Sequence, residues 1–160
     1  MLRSNDILDA LEETARAVFP GGTVYRNLVR QGFERPSCMV EVRRLTMEDA
    51  ARWLVERTAR AKLTLFEPVD DYHDTQVELL GDKLDLLMAH VSGGTLAVGD
   101  RHLDVEDVEG ECFNDFATLT FTLRWTDDRE TGPARAALAE HYTLAASAGE
   151  TKEEKTYGST

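Results

Sequence analysis

The 160-residue sequence contains only two cysteines, Cys38 and Cys112, and neither belongs to a CxxC or Cys/His metal-binding pattern. A disulfide framework and a structural zinc site are therefore excluded as the basis of the fold. The first 19 residues lack the basic start and continuous apolar run of a secretory signal peptide, and no segment has the roughly 20 apolar residues that span a bilayer. We expect a reduced chain in the cytoplasm that is neither exported by that route nor inserted into a membrane.

Motifs that carry enzyme chemistry are also absent. The sequence has no GxGxxG, GxxxxGK[ST], HExxH or GxSxG pattern, which excludes the usual signals of dinucleotide, phosphate, zinc-protease and hydrolase sites. Cys38 alternates with Met39 inside an apolar run, so we interpret it as a small core side chain and not as a nucleophile. The sequence predicts a protein that is not an enzyme and needs no cofactor.

Positive charge is scarce, since 18 Lys and Arg face 30 Asp and Glu, for a net charge of −12. Affinity for nucleic acid depends on basic residues that release phosphate counterions, so tight wrapping of DNA is excluded and DNA remains only as a passing polymer. The charge is unevenly distributed. Residues 23–62 have nine basic and five acidic residues, whereas residues 67–115 have two basic and fourteen acidic residues. We expect one mildly basic and one strongly acidic surface.

The length suits one domain, and the apolar pattern places its first elements. Helical spacing after Ser4, an expected N-cap, predicts a helix over residues 5–19 that Pro20 and two glycines end. Two alternating segments, 24–29 and 37–45, predict strands joined by a turn. Thr46 and Asp49 form a weak capping box, which predicts a short helical stretch over 47–55. A third strand follows from about Ala59.

The second half repeats this order. An apolar stripe predicts a helix between Val77 and Val91, and a hairpin is expected to turn at Gly99-Asp100. Residues 117–125 alternate most regularly and predict the last strand. We expect an α+β domain with a largely antiparallel sheet and both helices packed on one face.

The composition changes after Trp125, which predicts a domain over residues 1–126 and a C-terminal extension over 127–160. The extension is rich in alanine and then polar, and it has too little apolar surface to fold alone. We expect it to be flexible in the free chain from about Gly132 and to become ordered on a partner, through Leu138, Tyr142 and Leu144 as anchors.

One acidic cluster offers an alternative function. Residues 70–74 read Asp-Asp-Tyr-His-Asp, and carboxylates with an imidazole suit several divalent cations. The alternative is a small monomeric α+β enzyme or ligand-binding protein with an acidic metal site there. The structural explanation is a solvated loop whose acids favour the N-terminus of the next helix.

One sequence motif resembles that of a known protein family. It begins at Gln31-Gly32-Phe33 and continues through Pro36 into an apolar strand. With the basic strand that ends at Leu65-Phe66-Glu67-Pro68 and the amphipathic helix beyond it, the chain resembles the phage tail terminator family of tailed phages and prophages over about residues 5–125. The resemblance implies a structural protein of the virion tail and head-tail junction, assembled in the host cytoplasm. It implies a ring, usually hexameric, that caps the tail tube and provides the docking surface for the head or neck.

The same resemblance implies the partners and, with the charge pattern, the surfaces. The partners would be other copies of the chain, the tail tube protein, a head-tail connector or neck protein, and the tail sheath protein where a tail has one. We expect ring contacts through strand-borne residues, namely Arg57, Arg60, Lys62, Thr118, Thr120, Thr122 and Arg124. An acidic lumen that does not bind passing DNA would use some of Asp70, Asp71, Asp74, Asp104, Glu106 and Asp107.

Overall fold

The structure, a computed structural model, describes residues 1–70, 72 and 76–129. Its elements follow the predicted order of one helix, three strands, one helix and three strands. They are α1 Ser4–Val18, β1 Thr23–Arg26, β2 Ser37–Asp49, β3 Leu54–Phe66, α2 Val77–Val91, β4 Thr95–Val98, β5 Arg101–Cys112 and β6 Ala117–Asp128. The predicted α+β class is confirmed.

The six strands form one sheet in the order β1-β2-β3-β6-β5-β4. All neighbours are antiparallel except β1 and β2, which are parallel, with Thr23 opposite Ser37. The expected turn is present at Gln31 and Gly32, but the pairing of the two strands as a hairpin is wrong. The backbone N–H of Glu34 donates to the Tyr25 hydroxyl at 3.0 Å, so the connection runs back along β1 before β2 begins. β2 then starts at the same end of the sheet as β1.

The helical stretch expected over residues 47–55 is also absent. β2 continues to Asp49 and β3 begins at Leu54, so these residues form the tip of a long hairpin. The hydroxyls of Thr46 and Thr58 are hydrogen-bonded across the two strands. Twelve cross-strand pairs between β2 and β3 outweigh the weak capping signal at Thr46.

Both helices contribute to a single buried cluster with the sheet. Ile7 and Leu11 of α1 and Leu80 and Leu87 of α2 are fully buried, together with Phe121 of β6. In β6 every odd-numbered residue is buried, which agrees with the predicted alternation. α1 begins at Ser4 because Arg3 takes the N-cap position, and the Arg3 N–H donates to the Asp6 carboxylate at 2.8 Å. None of the described helices is long and apolar enough to cross a bilayer.

Two β-bulges interrupt the ladders. One lies between Val42 and Arg44 in β2, and the other lies between Glu106 and Glu109 in β5, where Asp107 has a φ of 51°. Each bulge shifts the alternation by one residue. Glu109 consequently pairs with Thr120 on the side of the sheet to which Glu106 also belongs.

Candidate assembly surfaces

The side of the sheet away from the buried cluster is a polar layer, which we call the outer face. It comprises the even-numbered residues of β3 and β6 and their cross-strand partners on β2 and β5. Register pairs Lys62 with Thr120 and Arg60 with Thr122. Six of the seven residues predicted for ring contacts share this face: Arg60, Lys62, Thr118, Thr120, Thr122 and Arg124.

Basic side chains of the outer face already contact acidic ones of the same chain. Arg124 lies 3.0 Å from Glu106 and 3.7 Å from Glu56, and Arg60 lies 3.6 Å from Glu109. These side chains are all well exposed, where an ion pair contributes about 0–1 kcal/mol. They remain available to a neighbouring molecule at little cost.

Arg57 differs from the other predicted contact residues because it lies on the opposite side of β3. Its guanidinium donates to the Leu2 carbonyl oxygen at 2.8 Å and to the Asp127 carboxylate at 3.2 Å, and it lies over the Trp125 ring. Its side chain is only 15% exposed. The structure thus uses Arg57 inside the domain and separates it from the surface formed by Arg60 and Lys62.

Asp127 is the centre of that buried network. Its side chain is inaccessible to solvent, and its carboxylate also accepts hydrogen bonds from Arg101 and from the indole of Trp125. Burial alone would raise the pKa of Asp127, but the hydrogen bonds from Trp125, Arg57 and Arg101 outweigh it and lower the pKa. The network ties the N-terminal segment and the turn between β4 and β5 to the end of β6.

The residues predicted for an acidic lumen are divided between two parts of the fold. Asp104, Glu106 and Asp107 lie on β5, with Asp104 opposite Arg124 and Asp107 in the bulge. Asp70 lies in the segment between β3 and α2, where its carboxylate accepts the Tyr72 N–H at 2.9 Å. Asp71 and Asp74 lie outside the described residues.

The alternative metal site depends on the same segment. Among residues 1–70, 72 and 76–129, no group of three or more His, Cys, Asp and Glu side chains is placed to hold a metal ion. His73 lies outside the described residues, as do Asp71 and Asp74. The predicted anchors Leu138, Tyr142 and Leu144 of the C-terminal extension also fall outside them.

A cleft of about 270 Å³ opens between the C-terminal end of α1 and the start of β2. Phe19, Val24 and Pro36 contribute its apolar lining, and the ion pair between Lys83 and Glu67 contributes its polar edge. Cys38 also lines the cleft, and burial raises the pKa of its thiol to about 12. A thiol with that pKa is not a thiolate at neutral pH, in agreement with a structural role.

Sequence reasoning missed the exposed apolar side chains at the tip of the β2–β3 hairpin. They are Leu45, Met47, Trp53 and Leu54. Leu45 and Met47 lie on the helix side of β2, since they pair with Ala59 and Arg57, yet they are 45% and 61% exposed. Alternation alone could not have placed them, because the bulge between Val42 and Arg44 moves Leu45 and Met47 to the opposite side from Met39 and Glu41.

The order of elements and the motif at Gln31 to Pro36 now have a counterpart among known proteins. Residues 6–134 match the family described as phage tail terminator protein. The chain belongs to the phage tail terminator family. No individual curated protein matches it.

The match covers all eight elements of this tail terminator, from the first turn of α1 to the end of β6. The protein is therefore a structural component of a phage tail, and its interactions are with other phage tail or head components. The resemblance inferred from Gln31-Gly32-Phe33, the basic strand and α2 is confirmed.

Proposed function

We propose that this tail terminator forms a hexameric ring that caps the finished tail tube and provides the docking surface for the head or neck. The family match over residues 6–134 carries the proposal. The same match supports a structural role in place of a catalytic one. The polar outer face of the sheet, with exposed Arg60 and Arg124 beside Thr122, supports a protein whose surface serves contact with other proteins.

The proposed location is the virion tail at the head-tail junction, after assembly in the host cytoplasm. On one axial side the ring would contact the tail tube protein, and on the other a head-tail connector or neck protein. A contractile tail would add the sheath protein as a partner. DNA would pass through the ring without being held.

Copies would join by a heterologous contact, in which the basic part of one chain meets the acidic part of the next. The basic part is residues 23–62 and the acidic part is residues 67–115. Arg60 is exposed and Lys62 half-buried on the outer face, and both would contribute to this contact, whereas Thr118 on the same face is buried. Arg57 would contribute only indirectly, because it stabilises the domain through Asp127.

We assign the lumen to some of Asp70, Asp71, Asp74, Asp104, Glu106 and Asp107. Carboxylates on a channel wall lower its affinity for phosphates, so DNA would pass without adhering. Asp104 and Glu106 lie on the β5 part of the outer face, apart from Arg60 and Lys62 on β3, which supports β5 as the candidate wall.

The domain organisation is part of the proposal. Residues 1–126 would form the tail-terminator domain and residues 127–160 a partner-binding extension, although the first two residues of the latter complete β6. Leu138, Tyr142 and Leu144 would anchor the extension to a neighbouring subunit or to the next protein of the neck or tail.

Native mass measurement and electron microscopy of the purified full-length protein, with and without tail tubes, test this function. We expect a six-fold ring, or stable attachment of the protein to the ends of tubes. A monomer that ignores tubes and binds a divalent metal or a metabolite would contradict the proposal and favour the ligand-binding alternative.

A further inference from the structure

The sheet has two long stretches of strand with a partner on one side only. β1 pairs with residues 37–40 of β2, so within the described chain residues 41–49 have no strand on that side. β4 pairs with residues 101–104 of β5, so residues 105–112 are similarly open. We call these stretches the β2 edge, residues 41–49, and the β5 edge, residues 105–112. An open edge presents backbone donors and acceptors to any strand that approaches it.

The two edges differ in charge. The β2 edge has two basic and three acidic residues, but Glu41 pairs with Arg43 and Asp49 pairs with Arg129. Arg44 is exposed and forms no ion pair with another described residue. The β5 edge has no basic residue and four acidic ones, Glu106, Asp107, Glu109 and Glu111. Two β5 edges would repel each other, whereas Arg44 of a β2 edge would attract the carboxylates of a β5 edge.

The apolar residues of the β2 edge need a neighbour on the same side of the sheet. Leu45 and Met47 lie on the helix side but are not covered. On the β5 edge, Val105 and Val108 lie on that same side and pack against the buried cluster. If the edges joined, Leu45 and Met47 would extend the apolar side of the neighbouring sheet. Burying two such side chains favours association.

The strand directions allow this contact between two copies in the same orientation. β2 and β5 run antiparallel in the sheet, since β3 and β6 between them alternate in direction. The β2 edge lies towards one end of the sheet and the β5 edge towards the other, because β1 and β4 cover opposite ends. Neighbours would therefore be displaced along the strands. Such a stagger is what a closed barrel of tilted strands requires.

From these observations we infer that copies of this tail terminator join edge to edge, the β2 edge of one chain adding to the β5 edge of the next, so that one sheet continues from chain to chain. The inference rests on the proposed ring and adds a contact between sheet edges to the proposed contact of Arg60 and Lys62 on the interior strand β3. The bulges at Arg43 and Asp107 lie within the two edges and disrupt pairing with unmatched strands.

Cys112 provides a direct test, because it is the exposed last residue of the β5 edge. In an antiparallel alignment Cys112 of one chain lies beside the start of the β2 edge of the next. Cysteines would be introduced one at a time as Val42→Cys, Arg43→Cys, Arg44→Cys and Leu45→Cys, and the full chain would be treated with a mild oxidant. We expect at least one variant to give a ladder of disulfide-linked chains on a non-reducing gel.

Three controls identify the contact. Leu86→Cys places an equally exposed thiol on α2, away from both edges, and gives the background of random collision. Adding Cys112→Ser to the cross-linking variant must abolish the ladder, because Cys38 is buried and has a raised pKa. The third control exchanges the charges of two residues across the proposed contact. We expect Arg44→Glu to weaken ring formation about fivefold, and the addition of Glu111→Arg in the same chain to restore it.

The outcomes separate the contact from the ring. If native mass shows rings in every variant but no cross-link exceeds the Leu86→Cys background, the edge contact is wrong and the ring stands. If the wild-type chain stays monomeric with and without tubes, the ring itself fails. A ladder that survives Cys112→Ser would also overturn the edge contact.

Discussion

The indole N–H of Trp125 donates a hydrogen bond of 3.1 Å to the carboxylate of Asp127, two residues further along β6. The same carboxylate binds Arg57 and Arg101, so one buried negative charge holds two arginines from different strands. A buried charge without a partner lowers the free energy of unfolding, and the Asp127 carboxylate prevents that loss by pairing with Arg57. Ion pairs thus join the end of β6 to β3 and to the start of β5.

We expect Asp127→Ala to lower the free energy of unfolding by about 3 kcal/mol, because it leaves Arg57 without its charge partner. Asp127→Asn is the matched variant that keeps the size and some of the hydrogen bonds.

The contribution of the Asp127 carboxylate to the free energy of unfolding should also depend on pH. Since the pKa of Asp127 is lowered in the folded protein, its contribution is complete above the unfolded pKa of about 3.9 and is lost as the pH falls through the lower folded pKa. Urea unfolding of the wild type should lose stability more steeply below about pH 4 than unfolding of Asp127→Asn. Equal slopes would contradict this role.

Charge reversal should distinguish two arginines of the same strand. Arg57→Glu places a second carboxylate beside Asp127 and should destabilise the domain by about 3 kcal/mol or more. Arg60→Glu with Lys62→Gln changes the outer face without placing a carboxylate opposite the buried Glu41, so thermal unfolding should be nearly unchanged while ring formation at moderate salt weakens. Rings of undiminished stability in the second variant would exclude these residues from the contact.

Gly81→Ala should stabilise the protein by about 1 kcal/mol, since glycine is unfavourable inside a helix. A Cβ atom at Gly81 would meet no heavy atom within 4 Å, so nothing opposes the gain. Gly110→Ala is the contrasting variant, because its Cβ would lie 2.8 Å from the Met88 sulfur and force that side chain to move. Thermal unfolding of both variants measures the difference. A loss of stability in Gly81→Ala would show that the helix needs this glycine for another reason.

The acidic lumen predicts a position for six carboxylates in the assembled particle. A density map should place at least some of Asp70, Asp71, Asp74, Asp104, Glu106 and Asp107 within a Debye length, about 8 Å at physiological salt, of the channel surface. A map with none of the six in that zone would remove the proposal.

Deletion of residues 132–160 tests the C-terminal extension. The truncated chain retains all eight described elements and the Asp127 network, so we expect an unchanged unfolding midpoint. Docking to the neck or tail partner should fail, because the proposed anchors Leu138, Tyr142 and Leu144 are lost. Normal assembly of intact particles from the truncated chain would show that the extension is dispensable.

Periodic patterns made most of the fold predictable. The alternation of residues 117–125 and the stripe from Val77 to Val91 placed β6 and α2 almost residue by residue. Features that depend on partners distant in sequence were not accessible. The parallel pairing of β1 requires a connection that folds back along it, where Glu34 contacts Tyr25, and the tip of the β2–β3 hairpin depends on cross-strand pairing. Both overrode local turn and capping signals.

The candidate surfaces were predictable only in part, for the same reason. Alternation identifies the side of the sheet to which a residue belongs, and the buried run Ala59, Ala61, Leu63 already implied that Arg57 lies with them. The partner of Arg57 could not be predicted, because Asp127 is 70 residues away and lies beyond the boundary that composition suggested. The open edges of the sheet could not be predicted from the apolar pattern, because they result from the unequal lengths of paired strands such as β1 and β2.

The hydrogen bond from the Leu2 N–H to Asp127 at 3.3 Å also determines how the polypeptide enters and leaves the domain. Its first residues and the end of its last strand emerge side by side. In a rotationally symmetric particle every N-terminus would therefore lie on one rim, next to the point where residue 129 leaves the sheet. An epitope fused ahead of Met1 and decorated with antibody fragments would mark that rim in micrographs, and so orient the protein along the tail axis.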